Sequence, residues 1–117
     1  MLAVGGQYLE HLDPQAARMA TGFSGGLGDT RTELCGALSG GVMVIGAAHG
    51  RTSGEEDDQP AITRAARYRE RFLETFGHTQ CRELREKLVD APGGPNSCGE
   101  LVERAAMILM ELLEDGA

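Results

Sequence analysis

Cysteine is the residue type in this chain best suited to chemistry, and its three copies sit in similar settings. Cys35 follows Thr30-Arg31-Thr32-Glu33, a Ser/Thr-x-x-Glu capping box. Cys81 follows Thr79 and the helix-stopping Gly77, and Ser97-Cys98-Gly99-Glu100 is a second capping box. Each cysteine is therefore expected just inside the first turn of a helix. A helix start offers unpaired N–H groups and the positive end of the macrodipole, and both favour a thiolate. The thiolate is the form that attacks disulfides, binds metals and holds iron–sulfur clusters. Redox or metal chemistry is the expectation, with Cys35, Cys81 and Cys98 as ligands or redox thiols. There is no Cys-x-x-Cys, so a zinc-finger framework is unsupported. Taken singly, each cysteine also fits the role of a small buried hydrophobe. Glu33, Glu83 and Glu100 oppose thiolate formation locally, and Arg82 or Arg51 is the expected basic counterweight.

Other motifs carry less. Gly22-Phe23-Ser24-Gly25-Gly26 has the letters of a nucleophile elbow, but that motif needs a preceding strand and an α/β sheet. A dinucleotide turn also needs a preceding strand, and no Gly-Lys-Ser/Thr follows. The run Gly22 to Gly28 reads as a structural turn or as a backbone nest facing a cofactor or thiolate. His49 suits a helix C-terminus as a cation, and its sharper reading is a metal or haem ligand. His11 and His78 fall at turns and support no role.

The elements that must position the cysteines are all helical in pattern. Residues 2–11 look like the tail of an amphipathic helix, and Asp13-Pro14 starts the next, running to Thr21. Leu34 to His49 is apolar all round and rich in small residues, which predicts a buried central helix. Gly36 and Gly40 within it would allow close approach of neighbours or of a bound group. Each interior glycine costs about 1 kcal/mol against alanine, so a packing or site requirement must outweigh that cost. After an acidic loop, Asp58 and Pro60 begin a long amphipathic helix that carries Ile62, Tyr68, Phe72, Leu73 and Phe76 and stops at Gly77. A short helix is expected over Gln80 to Val89, and a last one over Cys98 to Glu114 with Leu101, Ala105, Ile108, Leu109, Leu112 and Leu113 inward. The fold class is all-α: one domain of about six helices around the glycine-rich helix.

Bulk composition narrows the partners. The 117 residues suffice for one domain with a modest core. A net charge of −7 argues against nucleic acid, since phosphate binding needs a basic field. Arg64, Arg67, Arg69 and Arg71 read as a solvated helix face. With no Trp and 4% aromatic residues, stacking platforms for bases are absent. The longest apolar stretch falls short of the roughly 20 residues a membrane span needs. No secretory leader is visible, so a cytoplasmic setting with reduced thiols is expected.

Gly22-Phe23-Ser24-Gly25-Gly26-Leu27-Gly28, followed by Cys35-Gly36-Ala37-Leu38-Ser39-Gly40-Gly41 through Gly46 and Gly50-Arg51, resembles the C_GCAxxG_C_C family of small redox-active proteins. Cys81, in Phe76-Gly77-His78-Thr79-Gln80-Cys81, and Cys98, in Asn96-Ser97-Cys98, fall at the family's later cysteine positions. The resemblance implies a redox centre held by the cysteines. The family is itself similar to a domain of split-Soret cytochrome c, which carries haem and an iron–sulfur site. Covalent haem is not implied, because no Cys-x-x-Cys-His occurs. The family's pattern opens with a further cysteine that this chain lacks, and Leu2 to Leu9 matches the segment after it. The chain is accordingly expected to lack the start of its first helix, with an in-frame cysteine within about ten residues upstream, roughly 15 Å along a helix.

The expected function is a redox-active protein whose clustered cysteines bind an iron–sulfur or other metal centre or cycle between thiol and disulfide. With three thiolates a four-thiolate cluster would be incomplete, so an apo form is anticipated. Cys35, Cys81 and Cys98 are the expected metal ligands, with Gly36 and Gly40 beside the cofactor, and the three sulfurs should lie within about 10 Å of one another. An electron-transfer partner is implied but not identified, and a homodimer is compatible. The competing class is a non-catalytic helical oligomerisation or interaction domain with structural cysteines.

Overall fold

The computed structural model describes residues 4–6, 13–89 and 98–114. Residues 4–6 are helical. Helix α1 spans Pro14–Met19, where the Asp13 side chain accepts from the Gln15 amide at 2.8 Å and Pro14 occupies the first turn, as Asp-Pro predicts. A 3₁₀ turn over Thr21–Phe23 leads into the glycine run. Helix α2 is Gly36–His49 and α3 is Gln59–Phe76. Helix α4 is Cys81–Leu84 and runs straight into a π turn, Arg85–Val89; α5 is Cys98–Glu114. The all-α expectation holds: the described residues contain no strand, only an isolated antiparallel bridge between Leu34 and Gln80.

Three helices make the frame, since α2, α3 and α5 each pack against the other two. The core stripe of α3 is Tyr68, Phe72 and Phe76, spaced four apart so that the rings stack along one face. Tyr68 meets Phe72 edge-on at 6.2 Å, and Phe72 lies 4.7 Å from Phe76. Ile62 and Leu73 fall about a quarter turn or more off that line, and both are exposed. Helix α5 answers with Leu101, Ala105, Ile108, Leu109 and Leu112, all buried. Gly77, at φ +79, ends α3 and donates its N–H to the Leu73 carbonyl at 2.7 Å.

Helix α2 departs from the all-round burial expected of it. Leu38, Gly40, Gly41, Val44 and Ile45 are buried, whereas Val42, Gly46, Ala47 and Ala48 face outward. Its apolar surround is used on one side only, because α3 and α5 both dock there. Gly41 allows that docking: a Cβ at this position would run into the Tyr68 ring. Among the described residues no helix is long and apolar enough to cross a membrane.

Candidate functional site

The bridge between Leu34 and Gln80 organises the cysteines. Cys35 donates its N–H to the Thr79 carbonyl, and Cys81 donates to the Glu33 carbonyl, both at 2.9 Å. Leu34 and Gln80 are thus directly opposed and exposed, and their chain neighbours Cys35 and Cys81 flank the bridge on its two segments. Cys35 is half-buried and Cys81 only 6% exposed. Both are thiols.

The helix-start expectation holds for Cys81 and Cys98, each the first residue of its helix, and is off by one position for Cys35. Cys35 is the N-cap of α2 rather than a first-turn residue; its carbonyl accepts from Leu38 N at 3.0 Å and Ser39 N at 3.1 Å. The Thr30-x-x-Glu33 box does not cap this helix. Thr30 Oγ1 instead donates toward the Gly26 and Leu27 carbonyls, at 2.9 and 2.8 Å, and so closes the preceding loop. Cys81 opens α4, which continues without a break through the π turn to Val89. Its polar partner is Arg85, whose Nε donates to Cys81 Sγ at 3.4 Å. The counterweights anticipated at Arg82 and Arg51 lie elsewhere: Arg51 pairs with Asp58 at 3.7 Å, and Arg82 is exposed. Cys98 is the first residue of α5, but its side chain and the Ser97 box lie outside the described residues.

The glycine run covers Cys81. Gly25, Gly26, Leu27, Gly28 and Asp29 all have left-handed φ, from 58° to 72°, and Arg31 follows at 63°. Left-handed backbone costs a non-glycine residue roughly 1–2 kcal/mol, so Leu27, Asp29 and Arg31 need outside support. Support comes from Arg31 N to Gly25 O at 2.9 Å, Glu33 N to Gly26 O at 3.3 Å, and Arg82 N to Arg31 O at 2.9 Å. Gly26 is the closest approach: a Cβ there would lie 2.6 Å from the Cys81 Cβ. Gly36 faces the same loop, with space for a Cβ 3.4 Å from the Phe23 carbonyl, and Gly40 is buried one turn further along α2.

Two residues beside the thiols were not legible as site residues. Tyr68 donates its hydroxyl to the Ala37 carbonyl at 3.0 Å, in the first turn after Cys35. Burial, and secondarily the nearby Cys35 charge, push its phenol well above the usual tyrosine range. Arg85 is the other, and its only sequence signal is the four-residue spacing from Cys81. His78, next to Thr79, contacts Glu83 through Nδ1 at 2.8 Å. His49 lies at the far end of α2, about 20 Å along the helix from Cys35, and does not join the thiols. Among the described residues no group of three or more His, Cys, Asp or Glu is placed to hold a metal ion.

A family model described as "Putative redox-active protein (C_GCAxxG_C_C)" matches residues 1–112. The chain belongs to this family. Membership in the C_GCAxxG_C_C family supports a redox-related role for the protein. No curated protein and no solved structure matches the chain.

Proposed function

We propose that this C_GCAxxG_C_C protein is a dithiol redox protein, with Cys35 as the attacking thiol and Cys81 as the resolving one. The observation that carries the reading is the Leu34–Gln80 bridge, which brings the backbone segments of both cysteines side by side. Cys35 takes the first role because it is half-exposed at a helix N-cap, where nearby N–H groups stabilise negative charge. Its thiolate attacks one sulfur of a partner disulfide, and the other sulfur leaves as a thiolate. Cys81, oriented by Arg85, then attacks the Cys35 sulfur of the mixed disulfide and expels the partner's second thiolate. The partner gains two electrons, and the protein keeps a Cys35–Cys81 disulfide.

Iron–sulfur clusters and zinc sites take more protein ligands than the two described thiols supply, so no step passes through a metal. A metal-holding form requires Cys98 as a further ligand, and iron and sulfide analysis of anaerobically purified protein tests for it. The dithiol reading is tested by oxidising the protein with a low-molecular-weight disulfide and mapping peptides by mass spectrometry. A linked pair containing Cys35 and Cys81, lighter by two hydrogens and reversible with a thiol reductant, is the expected product. Thiols that stay reduced, and resist alkylation until the protein is denatured, would sink the reading in favour of structural cysteines.

A further inference from the structure

We infer that the outer edge of the Leu34–Gln80 bridge binds peptide, docking an extended polypeptide whose disulfide Cys35 attacks. The inference rests on the redox reading of Cys35 above and adds the substrate class and how it is held. The bridge bonds run from the Cys35 amide to the Thr79 carbonyl and from the Cys81 amide to the Glu33 carbonyl, both at 2.9 Å. That pattern makes Leu34 and Gln80 a pair that exchanges no hydrogen bond, so the N–H and C=O of each point away from the other. On the Gln80 side the outward carbonyl already accepts from the Leu84 amide at 3.0 Å. On the Leu34 side no described residue bonds to either group, and Thr32, Glu33 and Leu34 are all exposed. An outward N–H and C=O on one bridge residue form the donor–acceptor pair that a further strand completes.

The chemistry of the edge selects its occupant. A donor and an acceptor at strand spacing match the backbone of an extended peptide, whereas an anion or an apolar ligand satisfies one group at most. Apolar surface adjoins the pair: Leu34 is 47% exposed, and Phe23 and Leu27 on the neighbouring loop are 41% and 49% exposed. That loop lies against the start of α2, where a Cβ on Gly36 would stand 3.4 Å from the Phe23 carbonyl. The net charge of −7 sets a second copy of this chain against the first, but not a neutral or basic peptide. Cys35 directly follows Leu34 and is half-buried, so pairing at Leu34 runs the peptide backbone beside that of the attacking residue. The Cys35 thiolate then attacks the peptide's sulfur. A new S–S bond forms, and the old one breaks with its electron pair on the departing thiolate.

Attack on a peptide disulfide by the full chain tests this. The probe is a short lysine-flanked peptide whose one cysteine carries a pyridine-2-thiol disulfide, and release of pyridine-2-thione gives the rate. Methylating its backbone amides one at a time should slow release about threefold to tenfold at one position, through one lost hydrogen bond. The adjoining positions should be unaffected, because N–H groups alternate in direction along a strand. The same leaving group on 2-mercaptoethanol, which has no peptide backbone, gives the baseline reactivity of Cys35, and Cys35→Ser subtracts release by other thiols. Leu34→Pro removes the outward N–H but neither bridge bond. It should slow the peptide by a similar factor without slowing the mercaptoethanol probe, and the methylation series decides the matter if that variant does not fold. Methylation without effect at every position, with the baseline reaction intact, overturns the peptide edge and leaves the redox reading standing. A methylation effect that vanishes as protein concentration rises puts a second copy on the edge and also overturns the assignment. No reaction of Cys35 with either probe overturns the redox reading and the edge together.

Discussion

Gly41→Ala and Gly46→Ala, five residues apart on one helix, should move stability in opposite directions. At Gly41 the new Cβ would touch the Tyr68 ring, 2.6 Å from Cζ and 2.7 Å from the hydroxyl oxygen. The ring has nowhere to go: Tyr68 is 1% exposed, set edge-on to Phe72, and pinned by its bond to the Ala37 carbonyl. Overpacking costs about 1–3 kcal/mol, and the displaced hydroxyl about 1 more. Alanine returns about 1 kcal/mol through helix propensity. The net is a loss of about 1–3 kcal/mol, which lowers Tm by about 4–12 °C in a domain of this size. At Gly46 nothing lies within 4 Å of the added methyl, so only the propensity gain remains, about 0.5–1 kcal/mol. Thermal and urea unfolding followed by far-ultraviolet circular dichroism measure both. Gly41→Ala as stable as the wild type would refute the close approach of α2 and α3. A destabilised Gly46→Ala would show that the outward face of α2 is covered.

Further outcomes are equally concrete. Gly26→Ala, strained at φ +72 and pressed on Cys81, should destabilise by about 2–4 kcal/mol, read by urea titration. Tyr68→Phe should cost about 1–2 kcal/mol at neutral pH through its lost hydrogen bond. Because the folded state holds the phenol above its ordinary range, the wild type should lose stability as pH rises past about 10, and Tyr68→Phe should flatten that fall. For His49, burial and then Arg64 lower the pKa, so its contribution is present above about pH 6.5 and declines below it. His49→Gln should remove that acid-side slope in unfolding measured from pH 7 to 5. Iodoacetamide should label half-buried Cys35 before buried Cys81 in native protein; equal rates on peptide mapping would contradict the assigned order of attack.

The frame was legible where a residue's local chemistry decides its conformation. Asp13-Pro14 and Gly77 mark helix ends through capping and left-handed backbone, and the stripe at Tyr68, Phe72 and Phe76 follows from helical spacing. The site was less legible because long-range pairing sets it. Nothing local tells Thr30 to bond back to the Gly26 carbonyl rather than cap the helix ahead. Nor does composition reveal that Leu27, Asp29 and Arg31 take left-handed backbone, since that depends on Cys81 and Arg82 arriving from beyond α3. The basic neighbour of Cys81 was foreseen as a need, but the choice of Arg85 over Arg82 turns on helical register at an α-to-π junction.

The bridge between Leu34 and Gln80 also bears on the order of folding. Its two strands-in-miniature are separated by the whole of α2 and α3, so the closure entropy must be met before either hydrogen bond forms. Contacts of such sequence separation assemble late, after the local helices and their docking. A chain still emerging or refolding therefore carries Cys35 and Cys81 as two unrelated thiols. The side-by-side placing of the two cysteine segments is a property of the finished fold, and its appearance can serve as a chemical clock for the last step of folding.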